Sequence, residues 1–290
     1  MEIARSLDRP DGGTIGYRLW RAAGSKNVLV MIHGAASNLT RWSEYVSHSG
    51  LRESWDLLRV DLRGHATSMS RQRIGLTVWC EDLKAILDRE GYDRAVIIGH
   101  SLGAHVALYF RDRFPERVRA LILIDPVFPE NLTGKLRLAR NLRWLLQLAV
   151  HTIRFLNLLG LRRRSFPSRD LRELDEETRQ TIANNPGVDI ADLYTRPTAD
   201  LSFIPVANYV QDMIEVTRSL PPLERINVPV LVLLSAGATV SDPERNLASI
   251  RRIPGVEIHS IDANHWLLTE RPVDARDAID GWCHKLVTGH

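Results

Sequence analysis

Ala95-Val96-Ile97-Ile98-Gly99-His100-Ser101-Leu102-Gly103 is the stretch on which the reading of the fold turns. Ala95–Ile98 is apolar without alternation, the pattern of a strand covered on both faces. A helical pattern follows over Leu102–Phe114 and stops before Pro115. Between them lies Gly-x-Ser-x-Gly in the strand–turn–helix context of a nucleophile elbow. So tight a turn needs small neighbours, and Gly99 and Gly103 let strand and helix approach. Ser101 then projects from the C-terminal edge of a sheet, with the first N–H groups of a helix aimed toward it.

Further apolar runs lie on either side, at Asn27–His33, Trp55–Asp61, Ala120–Asp125, Val230–Leu234 and Glu257–Ile261. Amphipathic stretches separate them. Thr77–Gly91 has Thr77 as its expected cap and Gly91 for a left-handed end, and Pro272–Leu286 carries proline at its start. Strands alternating with helices imply an α/β architecture: a mostly parallel wound sheet with helices on both faces. Thr14–Trp20 is expected to add an antiparallel edge strand. The rhythm breaks between Pro126 and Pro222, where the pattern is helical. Residues 1–125 and 221–290 therefore read as the core, and 126–220 as a helical lid inserted into it. Asn131–Arg172 holds ten Lys/Arg and one acid, Asp170. Leu136, Leu142, Leu145, Leu146, Ala149, Ile153, Leu156 and Leu159 recur there at helical intervals. The preferred reading is a lid that packs on the core and lines an acyl pocket. The rival is weak contact of its basic, apolar face with a membrane surface.

Bulk properties exclude other classes. The 290 residues are 44% hydrophobic and 25% charged, with 38 basic against 35 acidic side chains, an ordinary globular balance. No nucleic-acid-binding signature is present, so no nucleic-acid partner is expected. Cys80 and Cys283 fit no metal-ligand spacing and read as reduced thiols. No metal cluster or phosphate loop occurs, so no cofactor is expected. The N-terminus has no apolar signal region, and Trp144–Ile153, the longest uncharged run in the apolar middle of the chain, is far too short for a membrane span. A cytoplasmic protein is the expectation.

With the elbow in place, the chain resembles the α/β-hydrolase superfamily over almost its whole length. His33-Gly34-Ala35-Ala36 is similar to that family's His-Gly oxyanion loop. Asp61-Leu62-Arg63-Gly64-His65-Ala66-Thr67-Ser68 resembles its Asp-x-Arg-Gly-His-Gly-x-Ser turn, with alanine at 66 where glycine is usual. Asn264-His265-Trp266-Leu267-Leu268-Thr269-Glu270-Arg271-Pro272 resembles its histidine loop and last helix. The resemblance implies Ser101 as nucleophile, His265 as its base, and the N–H groups of Ala35 and Leu102 as the oxyanion hole. His100 is expected to point away from the site, His105 to pack behind the elbow, and His33 and His65 to be structural or pocket-lining. The family's usual acid after the seventh strand is missing, since position 240 is valine. Asp125, at the end of the sixth strand, is the preferred acid, and Asp242, whose commoner use before proline is a helix cap, is the alternative. Trp42, Phe128, Trp144, Phe203 and Trp266 are candidate pocket liners. The implied activity is hydrolysis of a small-molecule carboxylic ester or lactone with an apolar acyl or alcohol part. Amide, carbon–carbon or perhydrolase chemistry on the same site remains an alternative, and a non-catalytic ligand receptor or scaffold is another.

Overall fold

Eight strands form one sheet in the order β1-β2-β4-β3-β5-β6-β7-β8: β1 (Glu2–Asp8), β2 (Thr14–Trp20), β3 (Val28–Ile32), β4 (Asp56–Val60), β5 (Ala95–His100), β6 (Val118–Ile124), β7 (Val230–Ser235) and β8 (Glu257–Ile261). The computed structural model describes residues 2–185, 188, 194, 197–237 and 241–289. Position 240, where the usual acid is missing, lies outside them. From β4 to β8 all neighbours are parallel, and β1 and β2 are antiparallel. Every residue of β3, β4 and β5 is buried, which is why β3 and most of β5 read as unbroken apolar runs, while β4 also buries the charged Asp56 and Arg59.

Helices cover both faces: α1 (Ser43–His48), α2 (Leu76–Glu90), α3 (Leu102–Arg113), α4 (Gly134–Asn141), α5 (Arg143–Leu158), α6 (Leu171–Asn184), α7 (Pro197–Asp200), α8 (Val206–Val216), α9 (Pro243–Ile250), α10 (Leu267–Glu270) and α11 (Pro272–Thr288). One apolar core lies between the sheet and α2 and α3, and includes Trp79, Leu83, Val106 and Phe110. The other lies on the opposite face with α1 and α11, around Trp42, Trp55, Ile279 and Trp282.

Several expectations need correction. The β2 strand is antiparallel but not at the edge, because β1 pairs outside it from Glu2↔Trp20 to Asp8↔Thr14. Thr77 caps nothing: α2 begins at Leu76 after Gly75. Gly91 does close α2 in a left-handed conformation, with φ of 77°. Between β6 and β7 the described residues form helices α4 to α8 and no strand. The leucine series there is less buried than its period suggests. In α5 only Val150 is fully buried, while Leu142, Leu145, Leu156 and Leu159 are exposed. The reason is that α5 is apolar on two sides and packs on α8 through one.

Candidate active site

Strand register assembles the site. His100 pairs with Ile124, and Ile124 with Leu233, so β5, β6 and β7 end at the same edge. The ladder runs one step further, with Ser101 N–H donating to the Ile124 carbonyl at 3.0 Å and Asp125 N–H to the Leu233 carbonyl at 2.8 Å. Ser101, Asp125 and Ser235 are thereby brought side by side at the C-terminal edge, where wound sheets present their sites.

Ser101 sits at φ 53° and ψ −113°, a conformation costly for a residue with a Cβ. Both flanking glycines are required by contact. A Cβ on Gly99 would lie 2.1 Å from the Gly103 carbonyl oxygen, and one on Gly103 would lie 2.4 Å from that of Ile32. No side chain fits at either place, so the strand and helix α3 close on each other and force the serine outward.

His265 lies on the loop after β8 and donates from Nδ1 to Asp125 Oδ2 at 2.5 Å. With its proton on Nδ1, the ring leaves the Nε2 lone pair free to accept another. The second Asp125 oxygen accepts from the Ser235 N–H at 3.2 Å and the Ser235 hydroxyl at 2.9 Å. Burial pushes the Asp125 carboxyl up, but the bonds from His265 and Ser235 outweigh it and hold it below the ordinary value. Asp125 is also left-handed, at φ 42°, a conformation that aspartate tolerates. Asp242 has a different place. It caps α9, with Oδ1 accepting from the Arg245 N–H at 3.1 Å.

His100 does not point away as expected. Its Nε2–H donates to the His265 carbonyl at 2.8 Å, and the two rings lie 4.9 Å apart. Burial and the neighbouring imidazole pull its pKa down to about 3, so His100 is neutral and props the histidine loop. His105 is fully buried, bonded to the Val127 carbonyl behind the elbow.

A cavity of about 410 Å³ opens over Ser101 and His265. Its walls include Ala35, Val127, Leu136, Leu171, Met213 and Trp266, with Lys135, Arg41 and Arg169 among its polar groups. Of the five aromatic candidates, Trp266 lines this cavity and Phe203 a smaller one beside it. The other three are corrected. Trp42 and Phe128 are fully buried in the two cores flanking the sheet, and Trp144 is 67% exposed on the outer side of α5. Tyr194, which no motif announces, stacks on Trp266 with ring centroids 4.9 Å apart and bonds to Asp175. Asp175 also takes a buried ion pair from Arg41, whose guanidinium lies 5.0 Å over the Tyr194 ring.

The two expected oxyanion donors come from two segments, the start of α3 and the loop after β3. Leu102 is the first residue of α3, so its N–H has no partner within the helix. Ala35 lines the cavity, and the next residue, Ala36, is left-handed at φ 49° and donates to Asp212 Oδ2 at 3.1 Å. Asp212 is fully buried on α8 and bonds His65 Nε2 at 2.8 Å. Burial would lower the His65 pKa, but the Asp212 carboxylate outweighs it and raises it. A signal for Asp212 is present in the sequence. Asn208, Gln211, Asp212 and Glu215 form a polar stripe at helical spacing, and all four are buried. Asn208 donates to the Gly64 carbonyl at 3.0 Å, and Glu215 accepts from the Leu76 N–H at 3.3 Å. The stripe therefore faces the Asp61–Ser68 turn and the start of α2. That turn is knit by Asp61, which accepts from the N–H groups of Leu39 at 2.7 Å and Thr67 at 3.0 Å, and by Arg63, which pairs with Asp82 at 2.6 Å.

Residues 27–272 match the family model described as alpha/beta hydrolase fold. The chain is 20% identical over 272 residues to the sn-1-specific diacylglycerol lipase of Mus musculus, covering 91% of this chain and 83% of that one. It is 34% identical over 112 residues to an uncharacterised protein of Mycobacterium tuberculosis, covering 38% of this chain and 32% of that one. The chain thus spans about a third of the length of that relative. Among solved structures, a hydrolase from Pseudomonas aeruginosa superposes with a TM-score of 0.68 at 20% identity, covering 98% of both chains. A thermophilic esterase from Thermogutta terrifontis superposes with a TM-score of 0.66 at 19% identity, covering 99% of both.

Proposed function

The chain belongs to the alpha/beta hydrolase fold family, and from that premise we propose that it is a serine hydrolase of carboxylic esters or lactones, acting through an acyl-enzyme on Ser101. The observation that carries the reading is the Asp125–His265 hydrogen bond at 2.5 Å beside a serine held in a left-handed elbow. Ser101 Oγ attacks the carbonyl carbon while His265 Nε2 takes its proton. The carbonyl oxygen becomes an oxyanion held by the N–H groups of Ala35 and Leu102. His265 then passes the proton to the leaving alcohol, and water repeats the sequence on the acyl-enzyme. Asp125 keeps the His265 proton on Nδ1 and stabilises the imidazolium. Residues 126–220 act as the lid, lending Leu136, Leu171 and Met213 to the cavity wall. That apolar wall favours an apolar acyl or alcohol part, and the likeness to a diacylglycerol lipase is in keeping with it.

The test is turnover of p-nitrophenyl esters of increasing acyl length by the wild type and by Ser101→Ala and His265→Ala. The reading expects turnover that improves from acetate to longer acyl chains and falls to background in both variants. Absence of turnover and of a burst with every ester, from a folded wild type, overturns it.

A further inference from the structure

The two sides of α5 differ in what covers them. Leu146, Val150 and Ile153, spaced i, i+4, i+7, face α8 and pack against Ala207, Val210 and Ile214. The opposite side is also apolar. Trp144, Leu148, Phe155 and Leu158, spaced i, i+4, i+11, i+14, fall on one stripe and are 67%, 59%, 59% and 84% exposed. Leu138 before this helix and Leu161 after it continue the bare surface. Leu142, Leu145, Leu156 and Leu159 are exposed in the same segment, and outside residues 138–161 the large apolar side chains exposed among the described residues are Ile3, Val206, Val273 and Val287, which form no comparable stripe. The stripe is broken once, by the exposed His151 at i+7, but an apolar stripe of this length left in water signals an interaction surface.

Its surroundings say what covers it. Lys135, Arg137, Arg143, Arg162 and Arg164 bracket the stripe in sequence and are exposed, and none has a carboxylate in salt-bridge range among the described residues. Asp170 is the sole acid between Asn131 and Arg172. A second copy would bring the same uncompensated cations against these, so self-pairing is opposed by charge. No described helix is long and apolar enough to cross a membrane. An aromatic and leucine stripe between cations, on a helix that lies flat, is the arrangement that settles into the interface of an anionic bilayer.

We propose that the outer face of α4 and α5 docks on an anionic phospholipid surface. Trp144, Leu148, Phe155 and Leu158 enter the headgroup boundary, and the flanking cations meet lipid phosphates and carboxylates. Since α4 also supplies Lys135 and Leu136 to the wall of the cavity over Ser101, the docked face borders that cavity. Docking itself does not depend on the hydrolase reading, and its test involves no turnover.

The full chain is sedimented with phosphatidylcholine vesicles with and without phosphatidylserine, at low and high salt. Two exposed-site variants are compared with it after their melting temperatures are matched: Trp144→Ser with Phe155→Ser, and Arg137→Gln with Arg143→Gln and Arg162→Gln. The proposal expects at least tenfold stronger partition onto the phosphatidylserine vesicles, weakened by salt. The cation variant should lose roughly a hundredfold, about fivefold for each charge, and the apolar variant at least tenfold. Equal or absent binding to the two kinds of vesicle overturns it, as does unchanged binding by either variant. Wild-type dimers that the apolar variant converts to monomers, without vesicle binding, would assign the face to a second copy and also overturn it.

Discussion

At the scale of single residues, two backbone conformations reveal what the site demands. Ser101 and Asp125 both have positive φ, at 53° and 42°, at the ends of adjacent strands. Glycine is at ease at a left-handed position where alanine is not. Ser101→Gly is therefore predicted to be more stable than Ser101→Ala by about 1 kcal/mol in urea unfolding, with both inactive. An equal or reversed order would show that the turn is relaxed. The two aspartates separate in the same way. Asp125→Asn keeps a residue that tolerates the left-handed turn but loses the carboxylate, so kcat should fall about 10³–10⁴-fold with the fold intact. Asp242→Ala should leave kcat alone and cost about 1 kcal/mol of stability through the lost cap of α9. The tight turn at Ser101 and the loop position of His265 were legible because short motifs, one in strand–turn–helix order and one after the last strand, carry them. Spacing did not distinguish Asp125 from Asp242, because both keep the same chain order relative to Ser101 and His265. Their places differ through the register of β6 against β5 and β7, which brings Asp125 to His265 and leaves Asp242 at the start of α9.

At the scale of elements, helix α8 shows how the helical segment reaches the candidate site. Its apolar residues face α5, while its polar stripe enters the core and ends on the loop holding Ala35. Asp212 links His65 to Ala36, so in the proposed mechanism it positions the loop that holds the oxyanion. The raised His65 pKa sets a direction for stability. A histidine whose folded pKa exceeds its unfolded value of about 6.5 contributes stability that is complete below 6.5 and fades as pH rises through the folded value. Asp212→Asn removes the anion that causes the shift. Its loss of stability relative to wild type should be largest at mildly acidic pH and shrink in alkali. Its kcat should fall with KM little changed, because in the proposed mechanism the loop binds the oxyanion and not the ground state. A stability gap that widens with pH would contradict the pairing. The parallel strands were legible as continuous apolar runs, but β1 was not. Glu2–Asp8 is half polar and finds its place only by pairing with β2. The exposed side of α5 was misread for a related reason, since helical spacing reports an apolar face without saying what covers it.

At the scale of the whole molecule, the helical insertion is tied to the sheet domain by buried polar contacts as well as by packing. The Arg41–Asp175 ion pair joins the loop after β3 to α6, with side chains 7% and 6% exposed. Removing one partner of a buried pair strands the other. Asp175→Ala should therefore lower stability by about 3–5 kcal/mol in urea unfolding, and the double variant Arg41→Met with Asp175→Leu should recover part of that loss. A cost below about 1 kcal/mol for Asp175→Ala would show that solvent reaches Arg41 freely. This tie was invisible in the sequence, because Arg41, Asp175, Tyr194 and Trp266 meet from four distant segments, each ordinary on its own.

The proposed chemistry depends above all on the reactivity of Ser101. Incubation with a fluorophosphonate, followed by mass spectrometry of the peptides, reads it without any assumption about substrate. One adduct per chain, located on Ser101, absent from Ser101→Ala and slowed by orders of magnitude in His265→Ala and Asp125→Asn, is the predicted result. A folded wild type that stays unlabelled, or one that labels equally fast without His265 and Asp125, would contradict it.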